Sequence, residues 1–242
     1  MINRLYLKDG YQKAVDTFIE TVDIIDGATA FTCSELIFHP EGGGQPDDRG
    51  VVVLGGSIYR IKKLIKRKGD VFVTLESKIP QHDDLFFGEA VTCQLEWEYR
   101  YKAMRYHTAA HVLMAAAKRV LSDYQPKGIM ISEDLTNCQI RFASNATISQ
   151  EVVDRIFDMF NSAVQSDLPV EVRTYSSVEE ARTGNKDIFR MDPALQLKGS
   201  IRVIIIDGFD ANPCGGTHVR TLSEIGAIKP ASFDASAISF SL

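Results

Sequence analysis

Three of the chain's five histidines stand in two short motifs that could act together. His107 and His111 are four residues apart in RYHTAAHVLMAAAKRVL, where apolar residues recur at helical spacing. On a helix both imidazoles project from one face, one turn apart, which suits two ligands on one metal ion. The pair lacks the glutamate of HExxH, so a zincin-type protease site is disfavoured. Cys214 and His218 are again four apart, in GFDANPCGGTHV, directly after the apolar run Ile201–Asp207. Pro213 and Gly215-Gly216 mark a turn that can fold the thiol and the imidazole toward one point. One thiolate and three imidazoles form a donor set that suits zinc. Four protein donors would close a structural site, and three would leave a place open. The pairs lie roughly a hundred residues apart, unlike a compact zinc finger, and the glycine-rich cysteine arm leaves room beside the metal; both favour a working site.

The rest of the composition bounds what could carry such a site. The 242 residues include 27 Lys+Arg and 32 Asp+Glu, for a net charge of −5. With 45% hydrophobic and 24% charged residues, the chain is neither disordered, collagen-like nor a coiled coil. Its length allows one large domain or two small ones. No apolar run approaches the ~18 residues of a membrane span. The opening MINRLYLKDGYQKAV has no apolar core of a secretory signal, which predicts a cytoplasmic protein. Cys33, Cys93 and Cys138 form no CxxC and read as small buried hydrophobes. The acidic total weighs against non-specific coating of nucleic acid. A local run opposes it: Tyr59–Gly69 carries Arg60, Lys62, Lys63, Lys66, Arg67 and Lys68. That run reads either as a solvated hairpin edge guarded against strand pairing or as a phosphate-binding patch.

The elements that must position these residues fall into two halves. Short β-rich runs at 4–7, 17–25, 30–38, 50–53, 57–65 and 71–76 suggest a small barrel or sandwich, with a hairpin turn at Gly69-Asp70. A connector is expected within 77–90. Beyond it the spacing predicts a long helix over 98–122 and a strand at 139–142. Thr147–Gln150 and Ser177–Glu180 have the form of capping boxes opening two further helices, the first with an apolar stripe through Val152, Val153, Ile156, Phe157, Phe160 and Val164. Strands are expected at 170–175, 201–207 and 225–229, and an edge strand at 237–242. The second half is α+β, without a βαβ rhythm.

Three motifs together resemble the AlaX family, free-standing relatives of the alanyl-tRNA synthetase editing domain. They are FHPEGGGQPDDRG (38–50), RYHTAAHVL (105–113) and CGGTHVRTLSEIGAIK (214–229). Threonyl-tRNA synthetases share a similar HxxxH and CxxxH domain, but the CGGTH wording and the glycine-rich segment are closer to the alanyl branch. The resemblance runs from about residue 4 to 229 and is to the medium-length members. It implies an α+β architecture: an N-terminal β-barrel domain (1–90) with the glycine-rich motif, then a two-layer editing domain (91–242) with antiparallel sheet and long helices. It implies deacylation of mischarged tRNA(Ala), chiefly Ser-tRNA(Ala) and secondarily Gly-tRNA(Ala), and one zinc ion at His107, His111, Cys214 and His218. Thr108 and Thr217, beside those ligands, become candidates for catalytic contacts to a seryl hydroxyl. Gly42, Gly43, Gly44 and Gln45 become a loop facing the substrate, joined by Arg105, Gly215 and Gly216. The basic run, with Arg100, Lys102, Lys118 and Arg119, becomes a set of phosphate contacts.

The sequence departs from the family in three places. The closing PASFDASAISFSL carries no Lys, Arg or Gly, NCQIRFAS lacks the expected Arg-x-Asp-Phe wording, and the Gln before Lys-Gly is displaced, as Gln125-Pro126-Lys127-Gly128. Three other readings fit the same residues: a non-catalytic RNA-binding module with a structural zinc, an editing hydrolase for another aminoacyl-tRNA, and a metallohydrolase of small esters.

Overall fold

The computed structural model describes residues 2–77, 87–191 and 195–242. The expected connector within 77–90 lies mostly outside the described residues. The architecture is α+β, as expected, with mostly antiparallel strands. The chain divides into two compact units. One comprises the residues up to Gly42 with Pro46–Lys102; the other comprises Gly43–Gln45 with Ala103–Leu242.

The first unit carries β1 (Asn3–Arg4), β2 (Ala14–Ile25), β3 (Ala28–Cys33), β4 (Glu35–Leu36), β5 (Gly50–Leu54), β6 (Ser57–Arg67), β7 (Asp70–Leu75) and β8 (Ala90–Leu95). The strands β2-β3-β7-β6-β5-β8 close into a barrel, each pair antiparallel. Three hairpins have two-residue loops, Asp26-Gly27, Gly55-Gly56 and Lys68-Gly69, all at positive φ. Such loops match the twist of the strands they join. The turn expected at Gly69-Asp70 is therefore one residue earlier, because Asp70 already pairs with Arg67. The strand expected at 4–7 ends at Arg4 and gives way to a 3-10 turn, Leu5–Leu7. The run 30–38 breaks after Cys33.

The barrel interior is filled by Ile19, Phe31, Phe38, Val52, Val73 and the thiols of Cys33 and Cys93, all at most 1% exposed. Arg100 is also fully buried. Its Nε donates to Asp48 Oδ1 (2.7 Å), Nη1 to Gly10 O (2.8 Å) and Nη2 to Ile37 O (2.7 Å). Nη2 also pairs with Asp48 Oδ2, which accepts the His39 amide as well. Arg100 is thus an internal brace, which corrects its expected role as a phosphate contact.

Helix α1 (Trp97–Val120) begins in the first unit and continues through the second. From Tyr106 to Ala117 every residue is buried, so its sequence reads as apolar with few polar positions. The second unit adds β9 (Gln125–Ile131), β10 (Cys138–Ala143), α2 (Gln150–Gln165), β11 (Val170–Tyr175), α3 (Val178–Gly184), β12 (Ile201–Ile206), β13 (Asp210–Pro213), β14 (Lys229–Phe233) and β15 (Ala237–Ser241). One sheet runs β14-β15-β10-β9 and another β11-β12-β13. The last strand is therefore internal, not an edge, and pairs with both β10 and β14. Ile238 and Phe240 are fully buried in it. The strand expected at 225–229 is a 3-10 turn, Leu222–Ile225, followed by β14. Helix α2 is capped by Ser149, whose hydroxyl accepts from the Val152 amide, two residues later than the expected Thr147. Ser177 caps α3 as expected, accepting from Glu180 N (3.1 Å). No described helix is long and apolar enough to cross a membrane.

Candidate metal centre

In the second unit, α1 brings His107 and His111 to one face, and the segment after β13 brings Cys214 and His218 against it. One nitrogen from each imidazole and the thiol sulfur all lie within 4.8 Å of one another. This group could hold one metal ion. His107 Nε2 is 3.5 Å and His218 Nε2 3.4 Å from Cys214 Sγ. A tetrahedral zinc with ordinary Zn–N and Zn–S bonds has ligand-to-ligand edges of about 3.4–3.6 Å, which these two contacts match.

The other ring nitrogens show why these lone pairs converge. Gln45 accepts the backbone N–H of Thr217 at Oε1 (3.0 Å). A backbone amide only donates, so this contact orients the Gln45 side chain. The same oxygen lies 2.8 Å from His107 Nδ1, which must therefore carry a hydrogen. Thr108 donates its hydroxyl to Met104 O (2.9 Å) and accepts from Val219 N (3.2 Å). Its contact to His218 Nδ1 (3.1 Å) is then a hydrogen bond donated by the ring. His111 Nδ1 lies 3.6 Å from Asp210 Oδ2, an ion-pair distance too long for a normal hydrogen bond. Each ring is thus turned so that Nε2 faces its neighbours. Outer partners of this kind orient metal-binding histidines and raise their basicity.

One thiol proton cannot serve three buried acceptors, and unpaired buried acceptors are costly. A cation at the centre resolves the conflict. The ionisation pattern shows the same demand. Burial pushes the Cys214 thiol up, but His107, His218 and His111 outweigh it and hold it well below its ordinary value. Burial, then His107, hold His218 well below the usual imidazole range. Burial also lowers His107, against the pull of Cys214. Burial would lower His111 too, but Asp210 and Cys214 outweigh it and raise it.

The surroundings are built to hold this arrangement. Gly44 has φ +82°, and a Cβ there would collide with Ile129 O. Ile131 N donates to Gly44 O (2.9 Å), so the segment Gly43–Gln45 lies along β9. That docking delivers Gln45, fully buried, to the back of His107. Gln45 also donates Nε2 to Thr217 Oγ1 (2.8 Å). Arg202 Nη1 clamps the cysteine turn through Cys214 O (2.6 Å) and Gly216 O (3.0 Å), and Gly216 N donates to Cys214 Sγ (3.3 Å). Arg190 pairs twice with Asp210, Nε to Oδ1 at 3.0 Å and Nη2 to Oδ2 at 2.8 Å. Burial opposes ionisation of Asp210, but Arg190 outweighs it and keeps the carboxyl below its usual range.

The residues singled out in sequence divide accordingly. His107, His111, Cys214, His218, Thr108, Thr217, Gln45 and Gly216 come together. Arg105 does not join them: its Nε and Nη2 donate to Ile225 O at 3.0 and 2.7 Å. Gly215 is exposed, with open space where a Cβ would project, and Gly43 is equally open. Gly42 belongs to the first unit, where Lys66 Nζ lies against it. Asp210, Arg190 and Arg202 were not singled out. Asp210 stands four residues before Cys214 in the same motif, which was the available signal; Arg190, in DIFRMD, carried none.

Gln45→Leu should test the support directly. We expect metal affinity to fall about 10–100-fold, measured by competition with a chromophoric chelator. Unchanged affinity would mean that the Gln45 contact does not orient His107.

Four convergent nitrogen and sulfur donors in the second unit form a centre that could hold one metal ion. Residues 201–237, which include Cys214 and His218, match the family described as the threonyl and alanyl tRNA synthetase second additional domain. The chain is 32% identical over 233 residues to the alanyl-tRNA editing protein AlaX-L of Pyrococcus horikoshii, covering 95% of this chain and 54% of that one. It is 30% identical over 232 residues to the alanine–tRNA ligase of Methanobrevibacter smithii and 32% over 230 residues to that of Pyrobaculum neutrophilum. Each of those matches covers 93% of this chain and 24% of the ligase. The chain thus spans about half the length of the editing relative and about a quarter of the ligases. The resemblance drawn from the three motifs is borne out: this chain is a relative, along nearly its whole length, of an alanyl-tRNA editing protein and of alanine–tRNA ligases.

Proposed function

We propose that this protein is an aminoacyl-tRNA deacylase acting in trans on mischarged tRNA(Ala), removing serine chiefly and glycine secondarily, in the cytoplasm. Its two functional parts would be the barrel part, for which the boundary expected at residue 90 moves past β8 to Lys102, and the editing part that carries Gly43–Gln45 and Ala103–Leu242. His107, His111, Cys214 and His218 would hold one zinc ion. Bound there, zinc would supply a Lewis acid beside the ester linking amino acid to ribose. The observation that carries this reading is the convergence of three imidazoles and one thiol, with the outer nitrogens of His107 and His218 hydrogen-bonded to oxygen partners and that of His111 at ion-pair distance from Asp210.

The chain's own residues take distinct parts. Cys214 is partly exposed while the three histidines are buried, and Gly215 beside it is open to solvent. The substrate would approach on that side. Thr108 has its hydroxyl hydrogen and both lone pairs engaged, so it positions His218 and has no capacity left for substrate. Thr217 accepts from Gln45 and has a hydroxyl hydrogen to offer a seryl side chain. A pocket that hydrogen-bonds that hydroxyl rejects alanine steeply, because its own polar groups would be left unpaired. Holding the ester near a water supplies much of the rate by proximity.

A second reading rests on the donor count. Four protein donors around one point close a tetrahedron, as structural sites do. The chain would then be an RNA-binding module without hydrolytic activity. Deacylation of Ser-tRNA(Ala), with Ala-tRNA(Ala) as control and a chelated sample beside it, separates the two. We expect serine to be released, alanine spared, and activity lost on chelation and regained with zinc. Metal-loaded, folded protein that spares Ser-tRNA(Ala), and whose melting temperature collapses on chelation, supports the structural site.

A further inference from the structure

We propose that the outer face of β6 is a docking surface for an RNA backbone, with Arg60, Lys62 and Lys63 as its centre and Lys66 and Lys68 extending the row. The choice of partner rests on the proposed function; the surface itself rests on the barrel. Six cations and no carboxylate lie between Arg60 and Lys68, in a chain whose net charge is −5.

The strand's geometry keeps them outside. In a regular strand neighbouring residues face opposite ways, so one of Lys62 and Lys63 would point into the barrel. A bulge between Ile61 and Lys63 removes that conflict. Tyr59 and Leu64, an odd number of residues apart, both reach the core, and Lys62 and Lys63 are both exposed. The bulge thus preserves a double lysine at no cost to the interior.

Arg60, Lys62, Lys63 and Lys68 are also exposed, while Lys66 Nζ lies against Gly42. Among the described residues, Arg67 alone of the six makes an ion pair, with Asp23 at 2.8 Å. Asp47 lies near Lys63, but its carboxylate accepts the backbone amides of Leu64 (3.2 Å) and Glu41. The edge-guard reading of the run is weakened by the same contacts. β6 pairs with β5 over 57–60 and with β7 over 61–67, and Asp47 covers the Leu64 amide on the remaining edge.

The other basic positions that could have met phosphate are mostly engaged within the protein. Arg100 braces Asp48, and Arg105 holds Ile225 O. Lys118 donates to Phe189 O (3.1 Å), and Arg119 to Phe209 O (2.6 Å). That leaves β6 as the concentrated positive field. Alternate residues of a strand recur about 7 Å apart, a rigid row comparable with successive phosphates along one nucleic-acid strand. An anionic lipid surface would want apolar side chains inserted beside the cations. On β6 only Ile58, at 70% exposure, is a strongly exposed large hydrophobic, and it lies at the far end from Lys66.

The test is binding of uncharged tRNA(Ala) transcript to the full chain across a salt series. Three proteins are compared: the parent, Arg60→Gln/Lys62→Gln/Lys63→Gln, and a control of equal charge loss, Arg173→Gln/Arg182→Gln/Lys186→Gln. We expect the first triple variant to flatten the slope of log affinity against log salt by about 2–3, roughly one per lost phosphate contact. The control should keep the parent slope, and both variants the parent melting temperature. Equal slopes in all three, equal flattening in both variants, or no binding by the parent at low salt would overturn the proposal. So would loss of binding to phosphatidylserine vesicles by the first triple variant with its RNA binding intact. The two proposals fail separately. A β6-dependent slope without hydrolysis of any aminoacyl-tRNA leaves the surface standing and removes the deacylase. Ser-tRNA(Ala) hydrolysis with the same kcat/KM in parent and β6 variant does the reverse.

Discussion

Cys214→Ser protein is expected to purify with a small fraction of the parent's metal and to deacylate Ser-tRNA(Ala) at least about 100-fold more slowly. The serine hydroxyl stays protonated at neutral pH, so the centre loses its anionic donor and with it the charge that balances a divalent ion. The hydroxyl is nearly isosteric with the thiol, and the turn that carries it is held independently. Arg202 grips the carbonyls of residues 214 and 216, and Gln45 grips Thr217. Packing should therefore survive.

That separation gives the substitution its force. For a working site, the melting temperature should stay within about 4 °C of the parent's, the shift that roughly 1 kcal/mol produces in a domain of this size. For a structural site, the lost metal was part of the folding free energy, and the same change should unfold the second unit well below the parent's transition. Metal content by elemental analysis, thermal melting and single-turnover deacylation on one preparation decide the matter. Full metal content with full activity would remove Cys214 from the centre altogether.

How much of this could be read beforehand depends on whether each feature is local. His107 and His111 sit at helical spacing inside one buried helix, and Cys214 and His218 flank one turn, so residue types and short intervals were enough to bring them together. The barrel's hairpins were partly legible for the same reason: Gly55-Gly56 and the glycine at 69 are local signals between β-rich runs, although the second loop is Lys68-Gly69 and not Gly69-Asp70. The strand Ala90–Leu95 closes the barrel by pairing with β2 and β5, distant in sequence, and no local pattern announces that closure. Gln125–Ile131 was missed because Pro126 and Gly128 argue against a strand, yet β10 supplies its partner. For Gln45 the resemblance implied only a loop facing the substrate. The burial of Gln45 behind His107 follows from Gly44 lying against Ile129, a contact between residues far apart in the chain. Arg190 escaped notice because nothing in DIFRMD marks it, and Asp210, although it stands four residues before Cys214, gains its role only from the Arg190 and His111 that the fold brings beside it.

Gly216→Ala and Gly215→Ala should behave as opposites, although the residues are neighbours in one motif and identical in type. At Gly216 a Cβ would fall on His107 Cε1, 2.5 Å from Nδ1 and 2.8 Å from Gln45 Oε1. Real Cβ atoms do not approach so closely, and neither neighbour can step aside. His107 is fixed in a buried helix, and Gln45 is held by Thr217 from both its oxygen and its nitrogen. The methyl group must therefore push the imidazole and break the bond that sets its tautomer. At Gly215 nothing lies within 4 Å of the added carbon, and no left-handed backbone conformation demands glycine at either position. We expect Gly216→Ala to weaken metal binding by about 10–100-fold, the range seen when an outer partner of a metal-binding histidine is lost, and to cut deacylation in proportion. Gly215→Ala should bind metal like the parent. Any loss it shows should appear as a raised KM, since only an incoming substrate would meet its methyl group on the open side of Cys214. Equal effects of the two substitutions on metal affinity would mean that the glycines serve the turn's flexibility and not the close approach to His107.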